Sequence, residues 1–265
     1  MSATLLLTRP RPQAADWLAR LQALGVAARS LPLIEIVPGQ GAQAAAAWAA
    51  LPAAALAMFV SPNAVTQFFA ARPPGPVWPA QTLAACVGPG SARALLDAGV
   101  PAALIVQPPP DSPSLDSEHL WPMLSARDWR GRQVLLLRGE GGRDWLAERL
   151  REQGALTTAF SIYGRRCPQL DAGQQLLLDQ ALARPQQHIW LFSSAEAIGH
   201  LRTLAPPGQD WRGLRAIATH ARIAERARGL PGVAAGHVVL TRPDAAAVAA
   251  AALAMQGSDL QSFSP

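Results

Sequence analysis

The chain has 265 residues, of which half are hydrophobic and 15% are charged, so it can bury a large core and lacks the composition of a disordered protein. All 23 basic residues are arginine, which excludes a lysine Schiff base, a pyridoxal-phosphate linkage and a P-loop lysine. The net charge of +5 is concentrated in residues 127–265, which carry 17 of the arginines and 12 of the 18 acidic residues. This basic half suits an acidic partner, or its arginines serve only as surface charge.

The sequence carries no signal for export or membrane insertion. It contains no run of about 18 apolar residues, and no basic segment precedes the short apolar run near its N-terminus. Two cysteines, Cys86 and Cys167, are too few for a disulfide framework. We therefore expect a cytoplasmic, reducing location.

Short apolar runs predict buried parallel strands, each followed by a turn and an amphipathic helix. In chain order these runs are 4–7, 57–60, 83–87, 134–137, 188–192 and 215–218. Helix starts are expected near three residues that can cap exposed amides, and helix ends near three glycines: Asp16, Ser91 and Ser194, then Gly25, Gly99 and Gly154. The repeated pattern predicts parallel sheets covered by helices.

The chain also contains an internal repeat with an offset of about 130 residues. Residues 5–36 and 135–163 both show an apolar run, a Gly/Pro turn, an Asp-Trp-Leu triplet, a helical pattern, a glycine and an extended segment. Further along, 58–69 parallels 190–201 and 83–100 parallels 214–230. The sequence therefore predicts two copies of one α/β unit.

The turns after the predicted strands are the candidate binding positions, because ligands of open α/β sheets bind at the carboxyl ends of the strands. Amides at the following helix N-termini suit an anion. In the first turn, Pro10 and Pro12 remove two amide donors, which argues against a flavin phosphate loop. Arg9 or Arg11 could instead reach an acidic ligand, or the turn is only solvated.

The other two turns of the first copy have structural as well as functional interpretations. Ser61 or Asn63 can cap the helix that follows, which explains them without function, or their turn can hold a carboxylate. The turn with Gly88 and Ser91 offers a generic site for an anion, but it lacks the third glycine of a dinucleotide fingerprint.

The second copy supplies the corresponding turns, with Arg138, Glu140, Ser193, Ser194, Thr219 and His220. His220 beside Thr219 is an acid/base pair or a surface histidine that only forms hydrogen bonds. The five histidines show no metal-ligand spacing, and no Gly-x-Ser-x-Gly elbow is present. Cys86 lies in an apolar strand and is expected to be inert.

Together these motifs resemble the uroporphyrinogen-III synthase family over about residues 4–255. Each motif alone is weak evidence for the family, whereas the order and spacing of all the motifs together are specific to it. The stretches that carry the resemblance are LTRP at 7–10, LPLIEI at 31–36, FVSPNAV at 59–65, VGPGSARAL at 87–95, LRGEGGRDWLAERLREQGA at 137–155, SIYGRR at 161–166, LFSSAEAI at 191–198 and THARIAERA at 219–227.

The resemblance implies two flavodoxin-like α/β domains, each with a parallel sheet, joined by a two-stranded linker with a cleft between them. The implied domains are 1–33 with 168–265, and 39–160, and the crossing linker strands are 34–38 and 161–167. The two duplicated units would then exchange their first βα element, so that the repeat and the domains are out of phase.

The implied reaction closes hydroxymethylbilane, a linear tetrapyrrole with many carboxylates, to uroporphyrinogen III with inversion of ring D and loss of water. The resemblance implies no cofactor. We expect no nucleic-acid or membrane partner, a monomer, and hydroxymethylbilane synthase as the upstream donor. The resemblance also implies that Tyr163, the only tyrosine, assists loss of the hydroxyl. The implied substrate-binding residues are Arg9, Ser61, Asn63, Gly88, Ser91, Arg138, Ser193, Ser194, Thr219 and His220.

The residues also allow three other functions to be compared with this one. A non-catalytic binding protein with two α/β lobes would keep the turns but would not depend on Tyr163. A flavin protein is disfavoured by the prolines of the first turn. A nucleic-acid role rests only on the high pI, because basic and aromatic residues are not interleaved on any segment.

Overall fold

A computed structural model of the chain describes residues 3–109, 111–141 and 144–261, with side chains up to residue 256. Its contacts divide the chain into two compact units. Unit 1 consists of the residues up to Glu35 together with those from Arg166 onward, and unit 2 is Ile36–Arg165. One unit is therefore discontinuous in sequence and the other is continuous.

Strands and helices alternate along the chain, except that the strands at 28–30 and 35–38 follow one another without a helix between them. The strands are β1 (Thr4–Leu7), β2 (Ala28–Ser30), β3 (Glu35–Pro38), β4 (Ala54–Phe59), β5 (Leu83–Cys86), β6 (Ile105–Val106), β7 (Gln133–Gly139), β8 (Leu156–Arg166), β9 (His188–Phe192), β10 (Ala216–Ala218) and β11 (Val238–Leu240). The helices are α1 (Arg11–Ala23), α2 (Gly41–Ala50), α3 (Pro62–Ala70), α4 (Pro89–Asp97), α5 (Ser117–Ser125), α6 (Trp145–Glu152), α7 (Ala172–Ala183), α8 (Ala195–Leu204), α9 (Ala221–Arg228) and α10 (Ala245–Gln261). None of the helices within the described ranges has the length and apolar character needed to cross a membrane.

Unit 1 contains a five-stranded sheet in the order β11-β10-β9-β1-β2, and every pair of neighbours is parallel. Counted along the chain within the unit, this is the order 5-4-3-1-2. That order is the flavodoxin-like arrangement, in which the chain reverses its direction of winding after the first βαβ segment. The fold class expected from the sequence is confirmed here.

Unit 2 contains a six-stranded sheet in the order β3-β8-β7-β4-β5-β6, in which the pairs from β8 to β6 are parallel. If β7 is counted first, these five strands follow the same flavodoxin-like order as those of unit 1. The segment β7-α6-β8 therefore occupies in unit 2 the place that β1-α1-β2 occupies in unit 1. Each copy of the repeat has contributed its first βαβ segment to the sheet that the other copy completes.

The strands are continuously apolar because both faces of each sheet are covered. Along β7, Leu135 and Leu137 face the cluster formed with α2, α3 and α4, while Val134 and Leu136 face α5 and α6. In unit 1, α1 and α10 cover the face that corresponds to the one covered by α5 and α6 in unit 2. They do so with Trp17, Leu21 and the alanine-rich side of α10. Each such large apolar side chain contributes about 1.5–3 kcal/mol when it is fully buried.

Helix boundaries follow the capping signals with two exceptions, of which the first is Ser91: it lies inside α4, whose N-cap residue, Gly88, provides no side-chain cap. Ser61 and Ser194 are the N-caps of α3 and α8, and each hydroxyl accepts a backbone N–H of the first turn. Gly25 and Gly99 follow their helices with φ of 76° and 88°, a region that favours glycine. The expectation for Asp16 is wrong, because α1 starts at Arg11. Asp16 lies inside that helix on an exposed face, where it pairs with the arginine four residues later.

Candidate active site

The sequence-predicted site residues of unit 2 lie at one edge of its sheet. Ser61 follows β4, Gly88 follows β5, Arg138 is near the end of β7, and Tyr163 is near the end of β8. These four strands are neighbours and run parallel, so their carboxyl ends share an edge. Parallel pairing thus brings together residues that are up to 102 positions apart.

Ser61 and Tyr163 are in direct contact. The Ser61 Oγ lies 3.1 Å from the Tyr163 Oη, and it also accepts the Ala64 N–H at 3.2 Å as the cap of α3. The tyrosine is only 3% exposed, and its ring belongs to the core cluster of unit 2. The phenol is therefore fixed by apolar packing along its ring and by a serine at its hydroxyl.

An irregularity in β8 directs Tyr163 to this position. Arg138 pairs with Ser161, but the next residue of β7, Gly139, pairs with Tyr163, so Ile162 has no partner across the ladder. Side chains of a regular strand alternate between faces. Because of the bulge, Ile162 and Tyr163 are both buried in the same cluster.

Arg138 combines an ion pair with an unsatisfied donor. Its guanidinium contacts Asp144 Oδ1 at 2.5 Å, and its side chain is 21% exposed. The Nε is buried and has no hydrogen-bond partner in the described part of the chain. A buried donor of this kind destabilises the fold by about 1–3 kcal/mol unless an acceptor reaches it.

The remaining predicted residues of unit 2 are at helix starts. Asn63 is the second residue of α3, and Gly88 is the N-cap of α4. Ser91 is 3% exposed, and its N–H donates to the Gly88 carbonyl at 3.0 Å. The exposed part of that turn is therefore the backbone of Pro89 and Gly90 rather than the serine hydroxyl. Residues 142 and 143 of the turn after β7 lie outside the described residues.

Unit 1 has an equivalent edge at the ends of β1, β9 and β10. Ser193 and Ser194 follow β9, and the Ser194 hydroxyl accepts the Glu196 N–H at 3.2 Å. Thr219 is 7% exposed and donates its N–H to the Phe192 carbonyl at 3.1 Å, whereas His220, the N-cap residue of α9, is exposed. The two side chains of the suggested acid/base pair are thus in different environments.

Arg9 is the most unusual charged residue of that edge. Its guanidinium carbon lies 4.1 Å from the centroid of the Trp17 ring, a cation–π contact. Burial lowers the pKa of Arg9 to about 10, which still leaves it charged at neutral pH. Its Nε is buried and has no hydrogen-bond partner among the described residues.

The structure distinguishes Arg9 from Arg11, which the sequence left as alternatives for an acidic ligand. Arg11 donates to Asp171 Oδ2 at 2.9 Å. Nearby in unit 1, Arg166 contacts both carboxylate oxygens of Glu35, at 2.9 and 2.7 Å, and this lowers the pKa of Glu35. Arg11 is therefore occupied by an internal carboxylate, while Arg9 keeps an unused donor.

Sequence reasoning missed Gly139 as a site residue. It stands at the end of β7, directly opposite Tyr163. The sequence shows a glycine after an apolar run, which is common in turns, but it does not show the register that places this glycine under the only tyrosine.

The family model described as uroporphyrinogen-III synthase HemD matches residues 15–237. The chain is 31% identical to the uroporphyrinogen-III synthase of Salmonella typhimurium over 66% of its length and 70% of that protein, and 30% identical to the one of Escherichia coli over 86% and 91%. Solved structures with the same fold include a uroporphyrinogen-III synthetase from Helicobacter pylori (TM-score 0.60, 15% identity, 96% of this chain, 100% of that one). A mutant uroporphyrinogen III synthase from Thermus thermophilus also matches (TM-score 0.56, 20% identity, 98% and 100%). Because the family model and a 30% identical relative both cover most of the sequence, the chain belongs to the uroporphyrinogen-III synthase family.

Proposed function

We propose that this chain acts as a lyase that dehydrates and cyclises hydroxymethylbilane to uroporphyrinogen III, with inversion of ring D. Membership of the family supports the activity, which belongs to heme biosynthesis. The observation that carries the chemical proposal is the contact between Tyr163 and Ser61, at an edge where parallel strands end. This contact holds a phenolic O–H in a fixed position.

The first step is loss of the hydroxyl from the terminal hydroxymethyl group. We assign the proton donor to Tyr163, because a phenolic O–H can donate its proton to a departing hydroxyl. The hydroxyl leaves as water with the phenolic proton. The pyrrole N–H of the same ring releases a proton, which restores the phenol, and the substrate becomes a neutral, electrophilic azafulvene.

The second step decides which isomer forms. The azafulvene is attacked by the substituted position of ring D, and the resulting spiro intermediate rearranges before the macrocycle closes. Without the enzyme, hydroxymethylbilane closes without inversion of ring D and gives the type I isomer. The protein must therefore favour one closure geometry by positioning the substrate and stabilising charge, and the proposed reaction needs no cofactor.

The enzyme can position the substrate by binding its carboxylates. The Nε donors of Arg9 and Arg138 are suited to such acceptors, since each is buried and has no partner in the described structure. The helix N-termini at the same sheet edges add backbone amides. The further proposed contacts are Asn63, Gly88, Ser91, Ser193, Ser194, Thr219 and His220.

We further propose that the enzyme works as a monomer in the cytoplasm and receives its substrate from hydroxymethylbilane synthase. Both cysteines are free thiols, which suits a reducing compartment. Rapid transfer from the upstream enzyme is an advantage, because free hydroxymethylbilane closes to the wrong isomer by itself.

The test is isomer analysis of the oxidised products by chromatography, with freshly made hydroxymethylbilane as substrate. We expect the purified protein to give the type III isomer, and heat-denatured protein to give type I. Tyr163→Phe should lower turnover at least several-fold with the fold retained, because the phenolic proton is lost while the ring stays. If the native protein gives only type I, the proposed function is wrong.

A further inference from the structure

Gly139 lies against the hydroxyl end of the Tyr163 ring. A Cβ built on Gly139 would be 2.7 Å from Cε2 and Cζ of Tyr163, and 3.2 Å from Cε1. The backbone of Gly139 is not in the left-handed region that requires glycine. The glycine is therefore required by space, since any side chain here would displace the part of the ring that carries the hydroxyl.

The bulge at Ile162 and the glycine form one arrangement. Without the bulge, strict alternation would point Tyr163 to the opposite face of the sheet from Ile162. With it, Tyr163 faces the cluster that contains α3, and regular bonding resumes where Glu140 donates its N–H to the Tyr163 carbonyl at 3.2 Å. The ring is thus turned onto Gly139 and towards the start of α3.

Ser61 completes the arrangement at the oxygen. Its Oγ accepts the Ala64 N–H, which leaves one O–H and one lone pair for the Tyr163 hydroxyl. Ser61 is also held by the sheet, because it follows β4, whose Phe59 pairs with Leu137 of β7. The serine oxygen therefore has a fixed position relative to the phenol.

We propose that Gly139 and Ser61 are positioning residues that act through Tyr163, and this rests on the function proposed above. Because Gly139 has no side chain, the Tyr163 ring can lie directly against the backbone of β7. Ser61 holds the phenolic oxygen of Tyr163 by a hydrogen bond. When the phenolic proton passes to the departing hydroxyl, Ser61 turns its own O–H towards the phenolate oxygen and keeps its proton. This gives Ser61 a different role from the substrate contact implied by the family resemblance.

The first experiment compares kcat and KM of Ser61→Ala, Ser61→Thr and Tyr163→Phe, and of the Ser61→Ala/Tyr163→Phe pair. We expect Ser61→Ala to lower kcat about tenfold, as for a partial loss of general-acid assistance, with KM changed less than about twofold. Ser61→Thr keeps the hydroxyl and should recover most of kcat. In the pair, Ser61→Ala should cause no further loss beyond that of Tyr163→Phe.

The second experiment uses the fact that Tyr163 is the only tyrosine. Protein labelled with tyrosine carrying ¹³C at Cζ gives a single NMR resonance, which can be recorded without substrate. Ser61→Ala and Gly139→Ala should each move this resonance, and Ser61→Thr should return it close to its original position. Threonine can also cap a helix, so a purely structural role in capping α3 is separated by the double variant: it would lower kcat by the same factor with and without Tyr163→Phe.

Matched controls come from the same unit. Asp116→Ala removes the N-cap of α5, and Gly41→Ala adds a methyl group where a Cβ meets no atom within 4 Å. Both should leave kcat and the tyrosine resonance unchanged. If Gly139→Ala fails to fold, combining it with Tyr163→Ala, which removes the opposing ring, should restore the folding behaviour of Tyr163→Ala alone.

The proposal is overturned if Ser61→Ala lowers kcat by the same factor with and without Tyr163→Phe, or if it leaves the resonance in place. It is also overturned if Gly139→Ala leaves the tyrosine resonance in place, or if its folding defect persists in the Tyr163→Ala background. Failure of the proposed function is recognised separately: the unsubstituted protein then gives only the type I isomer. If type III forms but Ser61→Ala has full kcat, only the positioning proposal fails.

Discussion

At the scale of single residues, polar atoms inside an apolar core determine what this protein can do. Tyr163 has a buried ring and one hydroxyl, and that hydroxyl contacts Ser61. Arg9 remains charged against Trp17 although burial lowers its pKa to about 10. A buried polar group is costly when it lacks a partner, which makes the unpartnered Nε atoms of Arg9 and Arg138 candidates for contact with a ligand.

The two cysteines should differ sharply in reactivity. Cys86 is fully buried at the end of β5, and burial raises its pKa to about 11, so it holds almost no thiolate at neutral pH. Cys167 is only half-buried. Alkylation of the native protein at pH 7.5, followed by peptide mass spectrometry, should label Cys167 while Cys86 stays unmodified. Denatured protein, the control, should be labelled at both, and equal native labelling would contradict the buried position of Cys86.

At the scale of elements, the start of a helix can hold an ionisable capping residue whose charge affects the stability of the fold. Asp116 caps α5: its Oδ1 accepts the His119 N–H at 3.0 Å and contacts His119 Nδ1 at 2.6 Å. Burial alone would raise the pKa of Asp116, but hydrogen bonds from His119 and Ser114 outweigh it and lower the pKa from 3.8 to about 2. A carboxylate with a lowered pKa stabilises the folded state when it is ionised.

The pH dependence of stability should reveal this cap. The contribution of Asp116 is complete above about pH 4 and is lost as the pH falls towards about 2, because the unfolded chain binds the proton first. Asp116→Asn keeps an acceptor oxygen but cannot ionise. Its deficit in unfolding free energy, measured with urea, should therefore be largest at pH 5 and shrink by pH 2.5. Asp128→Asn, at an exposed site in the same unit, serves as control, and a deficit independent of pH would contradict this account.

Elements could be predicted from the sequence where their signals are local. The apolar runs predicted β1, β4, β5, β7, β9 and β10, but not β2, β3, β6, β8 or β11. Ser61 and Ser194 marked helix starts, because capping depends on a residue and its next few neighbours. The prediction that Asp16 caps a helix start is wrong because an aspartate is equally compatible with an exposed helix face. The contact of Tyr163 with Gly139 depends on sheet register and on a one-residue bulge, and neither leaves a signal within a short window of sequence.

At the scale of the whole molecule, the repeat and the compact units do not coincide. Unit 2 is one continuous segment, Ile36–Arg165, and it contains every strand of its six-stranded sheet except the end residues Glu35 and Arg166. Unit 1 instead needs β1-α1-β2 from the start of the chain and β9 to β11 from its second half. A cut between the two copies of the repeat, near residue 130, would therefore divide both sheets.

Fragment folding should follow the units and not the repeat. A fragment of residues 36–165 should unfold cooperatively in urea and give a dispersed amide NMR spectrum, because its sheet is complete. A fragment of residues 1–130 should not, since β1 lacks β9 and β4 lacks β7. The two fragments are nearly equal in length, so each is the control for the other. Cooperative folding of the 1–130 fragment alone would contradict this assignment.

The same strand exchange sets the order in which the protein can fold during its synthesis. Leu5 pairs with Ile189, so β1 leaves the ribosome long before the strand beside it is made. At 5–20 residues per second, that delay is roughly ten to forty seconds. Unit 2 has all of its strands in the meantime, once β8 has emerged. The early β1-α1-β2 segment can pair β1 with β2, but the side of β1 that pairs with β9 has no partner until that part of the chain is translated.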